Sequence, residues 1–199
     1  VIKGIVGWDT ADNADILVEG CVVWCDWGRN LELGAETNAP AFWNILFRNC
    51  DCIHGSTAFL DIQHHNRADI GQVTFEDIRV EYTKHQLPDV FQNDMDAPYP
   101  TDTPVRHPLL FCLPIYRSGL FAEDGLNGRI HDITFRNIRI LTDAPEVPVP
   151  ESAFLGLDAE HTVERICIAG VTCNGKRLAT REELRLHINE FVRDVTILP

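Results

Sequence analysis

Two acidic residues, Glu32 in NLELG (30–34) and Asp61 in AFLDIQ (58–63), stand 29 residues apart in segments of one pattern. Set side by side at the spacing of paired strands, about 4.8 Å between backbones, their carboxylates repel. One pKa then rises, and the pair can divide the roles of acid and base. The register that pairs them aligns Leu31-Glu32-Leu33, Leu60-Asp61-Ile62, Leu113-Pro114-Ile115 and Leu155-Gly156-Leu157. Behind these come Ala35, His64, Arg117 and Ala159, then Glu36, His65, Ser118 and Glu160, flanked by Tyr116, Asp158 and His161. Carboxylates, imidazoles, an arginine and a tyrosine on one face suit a cleft that cleaves sugars. An acid protonates the leaving oxygen, a base activates water, and aromatic and polar groups hold the ring. The same residues also suit a solvated face whose charges pair down a ladder, Glu36 with His65 for instance.

The element that positions them is a repeat. DILVEGCVV (15–23), NILFRNCDC (44–52), QVTFEDIRV (72–80), DITFRNIRI (132–140), RICIAGVTC (165–173) and a short DVTILP (194–199) answer to one template, with starts 29, 28, 60, 33 and 29 residues apart. A period near 29 makes the 60 one coil carrying an insertion of about 30 residues. The second and fourth positions are apolar in every full unit, as are the seventh and ninth, which is strand alternation with those side chains inward. The sixth position is Gly20, Asn49, Asp77, Asn137 or Gly170, residue types that accept a left-handed corner. A second strand follows each first: NLELG, AFLDIQ, LLFCLPIYR (109–117) and AFLGLD (153–158).

Two or three short strands per coil bury their apolar side only by stacking coil on coil. Helical periods are missing between strands, which disfavours a doubly wound sheet, and no two-residue hairpin signal is read, which disfavours an antiparallel sandwich. The expected fold is all-β: a right-handed, single-stranded parallel β-helix of about five to six coils, forming one domain over 1–199 with a loop insertion at 83–108. That insertion, rich in Pro and Asp, leaves just before the strand bearing Tyr116 and Arg117 and is expected to wall or cover the cleft.

The coil template, the Asn/Gly corner and the tail VERICIAGVTCNGKRLATREELRLHINEFVRDVTI (163–197) resemble the right-handed β-helices of the pectinase superfamily, in particular glycoside hydrolase family 28, the polygalacturonases. The resemblance implies a C-terminal portion of a longer β-helix, and preceding coils or a partner chain over the first coil. It also implies a hydrolase working without a cofactor or metal on an oligo- or polysaccharide. Polygalacturonases carry an Asp pair after one corner, Gly-His-Gly in the next coil and Arg-x-Lys beyond. Here CDWGRNLELG (25–34) supplies Asp26, CIHGSTAFLDI (52–62) supplies His54 before Gly55, and no Arg-x-Lys follows EDIRVEY (76–82). The departures speak against a uronic-acid substrate. On this basis Asp26, Glu32, Asp61 and His54 are the catalytic candidates. Trp27, Glu36, His64, His65, Tyr116, Arg117 and Asp158 are candidates for holding substrate. Trp27 serves either as a stacking platform or as a plug against the barrel wall. A lyase on the same fold and a non-catalytic glycan-binding helix are the rival readings.

Composition narrows the partners. A net charge of −13 repels a nucleic-acid backbone and an anionic membrane alike. Seven cysteines form no paired CxxC knuckle, and four of them fill slots that other coils give to Ile or Val, so they read as core thiols. The opening VIKGIVGW has no initiator Met and no leader pattern, reads as processed or excised material, and carries no cellular address.

Overall fold

A computed structural model describes residues 1–5, 10–25, 28–83, 107–117 and 126–199. Among these, no helix forms. Eighteen strands follow one another as β1 (Ile2–Gly4), β2 (Asn13–Glu19), β3 (Val22–Trp24), β4 (Arg29–Thr37), β5 (Ala41–Arg48), β6 (Asp51–His54), β7 (Ala58–His64), β8 (Asp69–Glu76), β9 (Arg79–Tyr82), β10 (Leu109–Pro114), β11 (Arg129–Arg136), β12 (Arg139–Thr142), β13 (Ser152–Leu155), β14 (Val163–Ala169), β15 (Val171–Cys173), β16 (Lys176–Leu178), β17 (Leu186–Ile188) and β18 (Val192–Leu198). They are dealt in rotation to three sheets. Sheet A runs β1-β4-β7-β10-β13-β17, sheet B β2-β5-β8-β11-β14-β18, and sheet C β3-β6-β9-β12-β15-β16. Neighbours in every sheet are parallel except β15 and β16, so the chain winds as a parallel β-helix of about five turns.

The repeat explains the winding. The two most alike phrases, at 72–80 and 132–140, lie directly against each other, with Val73 opposite Ile133 and Phe75 opposite Phe135. The 60-residue gap is therefore one coil. Apolar positions two and four stack in the core, where Phe47, Phe75 and Phe135 form a ring column with centroids 4.8 and 5.2 Å apart. Aromatic burial of this kind is the largest apolar contribution a coil can make, since each ring hides roughly 150–250 Å² from water.

The sixth position turns the corner between sheets B and C as expected: Gly20, Asn49, Asp77, Asn137 and Gly170 all have φ between +52° and +66°. A second left-handed residue per coil has no counterpart among the sequence expectations. The first template position, Asp15, Asn44, Gln72, Asp132, Arg165 or Asp194, has φ between +52° and +58° in all six coils. It shows no uniform residue type, and side-chain bonds such as Asn44 Nδ2 donating to Asp15 Oδ1 at 2.6 Å steady it instead.

Two further differences concern the ends and the thiols. Asn174-Gly175 in TCNGKRL is a two-residue hairpin turn, with φ of +48° and +80°, joining β15 to β16 antiparallel along the edge of sheet C. Asn-Gly is the strongest short hairpin signal, because both residues accept positive φ, and the expectation of no such signal is corrected here. All seven cysteines are free, but only Cys50, Cys52 and Cys112 are buried. Cys21 and Cys173 occupy core slots but are only partly buried against the core.

Candidate functional site

Strands β4 and β7 pair with Glu32 opposite Asp61 and Leu31 and Leu33 opposite Leu60 and Ile62. The leucines and isoleucine point into the core, so the two carboxylates share the outer face of sheet A in adjacent coils. A close backbone approach lets the strands meet here: a Cβ on Gly34, whose φ is +120°, would lie 2.1 Å from the Gln63 carbonyl oxygen. Only glycine fits.

The carboxylates converge on a cation that sequence reasoning missed. Arg29 Nε stands 2.6 Å from Asp61 Oδ2 and 3.8 Å from Glu32 Oε1. The Gln63 amide, oriented with its oxygen toward the guanidinium, accepts from Arg29 Nη2 at 2.5 Å. Asp61 is fully buried, with Arg29 as its ion-pair partner and the Cys112 thiol against it. Burial pushes Asp61 up to about 7; Arg29 opposes this, and the Glu32 charge adds to it. Glu32, also chiefly through burial, lies above its ordinary value, with Arg29 and Lys3 opposing. Two carboxyls thus compete for one guanidinium in a dry place, the condition under which one of them keeps its proton.

Further along the face, Glu36 forms an ion pair with Lys3 of β1. Burial works to raise Glu36, but the hydrogen bond and charge of Lys3 outweigh it and hold the carboxyl below its ordinary value. Lys3 is therefore the hydrogen-bonded partner of Glu36, and the charge interaction between Glu36 and His65 adds to it. His65 also stacks on Tyr116, ring centroids 4.5 Å apart and 22° from parallel. Burial and the nearby Arg29 charge keep His65 below its usual pKa.

His64 points elsewhere. It is fully buried, and burial lowers it to about 3, so it is neutral. Its Nδ1 lies 2.7 Å from Thr37 Oγ1, and that hydroxyl also accepts the backbone N–H groups of His65 (3.3 Å) and Asn66 (3.2 Å). With both lone pairs of the hydroxyl so used, its proton goes to His64 Nδ1. The unit fixes the turn that presents His65.

The register of the later coils corrects the sequence alignment. Asp61 faces Cys112, not Pro114, and Pro114 faces Leu155, not Gly156. A slip of two residues leaves every side chain on its own face, so alternation cannot detect it. Phe111 over Leu60 decides it in the core. In β13 the inward residue is Phe154, with Leu155 outside, because AFLGLD alternates equally well in either phase. The column through Ala35 and His64 consequently continues to Ile115 rather than Arg117. The Cys112 thiol over Asp61 is pushed well up by burial and by that neighbour.

The remaining candidates are scattered. Arg117 is exposed beside Tyr116. Asp158 belongs to its own turn, where it accepts the backbone N–H groups of Glu160 (3.0 Å) and His161 (2.9 Å) and contacts the His161 ring at 2.8 Å. His54 stacks against Trp24 (4.7 Å, 20°) at the end of sheet C, its carbonyl accepting Asn30 Nδ2 at 2.7 Å. Asp26 and Trp27 lie outside the described residues, as does the insertion apart from Thr83, His107 and Pro108. Among the described residues no group of three or more His, Cys, Asp or Glu side chains could hold a metal ion.

The missed members, Arg29, Gln63, Lys3 and Cys112, share one property. Each acts across a coil boundary, and the only available signal was their position in the columns beside Glu32 and Asp61. No protein family, curated protein or solved structure matches this chain. The fold and this cluster therefore carry the functional reading by themselves.

Proposed function

We propose that the protein is a carbohydrate-active β-helix, a glycoside hydrolase similar in kind to the polygalacturonase family, that cleaves a plant or microbial polysaccharide with carboxyl groups on sheet A. The observation that carries this reading is the pair Glu32 and Asp61 set in register and competing for Arg29 Nε at 3.8 and 2.6 Å. Environments that push carboxyl pKa values apart assign acid and base. Glu32, raised by burial yet with 9% of its side chain exposed, is the acid that reaches the leaving oxygen. Glu36, held ionised by Lys3 and 21% exposed, is the base.

As the glycosidic C–O bond breaks, the Glu32 carboxyl gives its proton to the departing oxygen. Glu36 takes a proton from the water whose oxygen attacks the anomeric carbon. Solvent then returns that proton from Glu36 to Glu32. Asp61 is fully buried and serves as a positioning residue that shares Arg29 with Glu32. His65 stacked on Tyr116 offers a ring face to the sugar.

Release of reducing ends from a panel of neutral polysaccharides is the test. Glu32→Gln is expected to lower turnover by about 10²–10⁴-fold, with recovery on aryl glycosides whose leaving group needs no proton. Unchanged turnover in Glu32→Gln overturns the reading, and an unsaturated, ultraviolet-absorbing product assigns lyase chemistry instead.

A further inference from the structure

After the left-handed corner between sheets B and C, each full coil turns one side chain toward the core, and in the first two coils that side chain is cysteine. Cys21 follows Gly20 and Cys50 follows Asn49, where later coils have Ile78, Ile138 and Val171. The two cysteines are stacked. The Asp51 N–H donates to the Cys21 carbonyl at 2.8 Å, as the Arg79 N–H donates to that of Cys50 at 3.0 Å one coil on, and the adjoining Val22 pairs with Asp51. Parallel strands in register set such residues about 4.8 Å apart, within the span of about 4.4–6.8 Å between Cα atoms that a disulfide bridges. The sulfurs face the same corner. Cys50 Sγ lies 3.3 Å from the Arg48 carbonyl oxygen and 3.9 Å from that of Val18 in the preceding coil, while Cys21 Sγ lies 3.5 Å from that of Glu19. The Cys21 thiol and its backbone N–H both act on the Cys50 thiol, which burial pushes up. Among the described residues no other cysteine in the sheets faces a second one: Cys52 lies between Val23 and Val80, Cys112 between Asp61 and Ala153, Cys167 between Thr134 and Thr196, and Cys173 beside Ile140.

We propose that Cys21 and Cys50 form a reversible modification site, a thiol pair that a low-molecular-weight disulfide converts to an intramolecular disulfide stapling the first coil to the second. Cys21 reacts first, because it is half-buried where Cys50 is fully covered. Its thiol gives up a proton, and its sulfur attacks one sulfur of the external disulfide, whose S–S bond breaks. The departing thiolate takes up a proton. The Cys50 sulfur, losing its own proton, then attacks the Cys21 sulfur of the mixed disulfide and expels the second small thiolate, which is protonated in turn. Two protein thiols thus lose two electrons and two protons, and one external disulfide gains them as two thiols. The chain between the partners includes β4 with Arg29, Glu32 and Glu36, so the staple closes a loop around the coil that supplies most of the carboxyl cluster. The pair acts in this way whether or not the protein turns glycans over.

Peptide mapping without reduction decides it. The intact chain is incubated with oxidised glutathione or with dithiothreitol, the remaining thiols are alkylated, and tryptic peptides are identified by mass. Cys25 and Cys52 fall on the same tryptic peptides as Cys21 and Cys50, so the map is repeated on the double variant Cys25→Ser, Cys52→Val. In both proteins a cross-link between the two peptides is expected after glutathione, and dithiothreitol should reverse it. Closing this loop should raise the unfolding temperature by about 5–10 °C over that of the reduced protein. Cys21→Ala, which leaves Cys50 packed, should show no such rise. Four outcomes overturn the proposal: no cross-link, with Cys50 reduced and Cys21 either free or still carrying glutathione; a cross-link that forms in urea but not in the native protein; a cross-link lost in the double variant, which assigns the bond to another pair; or an unfolding temperature that oxidation leaves unchanged, or raises equally in Cys21→Ala.

Discussion

Carboxylates climb the outer faces of sheets A and B at the same coil spacing, yet they end in opposite electrostatic states. On sheet B, Asp132 receives Arg165 at 2.8 and 3.0 Å and lies 2.6 Å from the His131 ring, whose other nitrogen is 3.1 Å from Asp69. Arg48 pairs with Glu19 at 2.7 Å and Arg136 with Glu76 at 2.9 Å. The Arg165 hydrogen bonds hold Asp132 down to about 2. On sheet A, one arginine serves Asp61 and Glu32, both are buried, and both carboxyls are pushed upward. A ladder of acids is therefore not yet a site. The ratio of cations to carboxylates, together with exclusion of water, separates a solvated ladder from a reactive pair.

The largest expected effect comes from breaking that ratio. Arg29→Ala leaves Asp61 buried with no compensating charge, and removal of one partner from a buried pair typically costs about 3–5 kcal/mol. At pH 8, urea unfolding should show a loss of that order. At pH 5.5, where Asp61 can hold its proton, the loss should be clearly smaller. An equal loss at both pH values would mean that the guanidinium packs rather than neutralises.

Asp61→Asn sharpens the same point. The folded-state pKa of Asp61, about 7, lies above its ordinary value of 3.8. The folded protein thus binds more protons than the unfolded chain between those values, and stability falls as pH rises through that window. A tenfold difference in proton affinity between the two states corresponds to about 1.4 kcal/mol, so the fall from pH 4 to 7 should be a few kcal/mol in all. In Asp61→Asn this contribution should disappear, leaving the variant more stable than the parent at pH 8. A pH dependence that survives the substitution would place the titrating group elsewhere.

Much of this is legible in the sequence, and the illegible part has physical reasons. Glu32 and Asp61 emerge as neighbours because a 29-residue period fixes which residues stack, and the Gly/Asn corner is readable because few residues accept positive φ. Pro114 aligns with Asp61 in the sequence because period-two alternation is blind to a slip of two. The left-handed first position is only partly legible, because Asp15, Asn44, Asp132 and Asp194 are of types that accept positive φ whereas Gln72 and Arg165 are not. Asn174-Gly175 is legible as a hairpin turn, but a template tuned to coils passes over it. Arg29 cannot be read as the centre of the cluster. Its role comes from the reach of a long side chain between coils, which no spacing rule encodes.

The smallest expected effect tests the other half of the comparison. Arg165→Ala on sheet B removes a cation whose partners, Asp132 and Glu164, sit where water can replace it, with the Asp132 side chain 42% exposed. Exposed pairs contribute about 0–1 kcal/mol, so thermal unfolding at pH 7 should move by a few degrees at most. The folded pKa of Asp132 lies below its ordinary 3.8, near 2, so whatever the pair contributes is present above about pH 4 and vanishes as pH falls toward 2. Arg165→Ala and the parent should then converge in acid, whereas Arg29→Ala and its parent diverge in base. A loss from Arg165→Ala as large as that from Arg29→Ala would show that sheet B is no solvated ladder, and that the contrast between the two faces lies in something other than buried, shared charge.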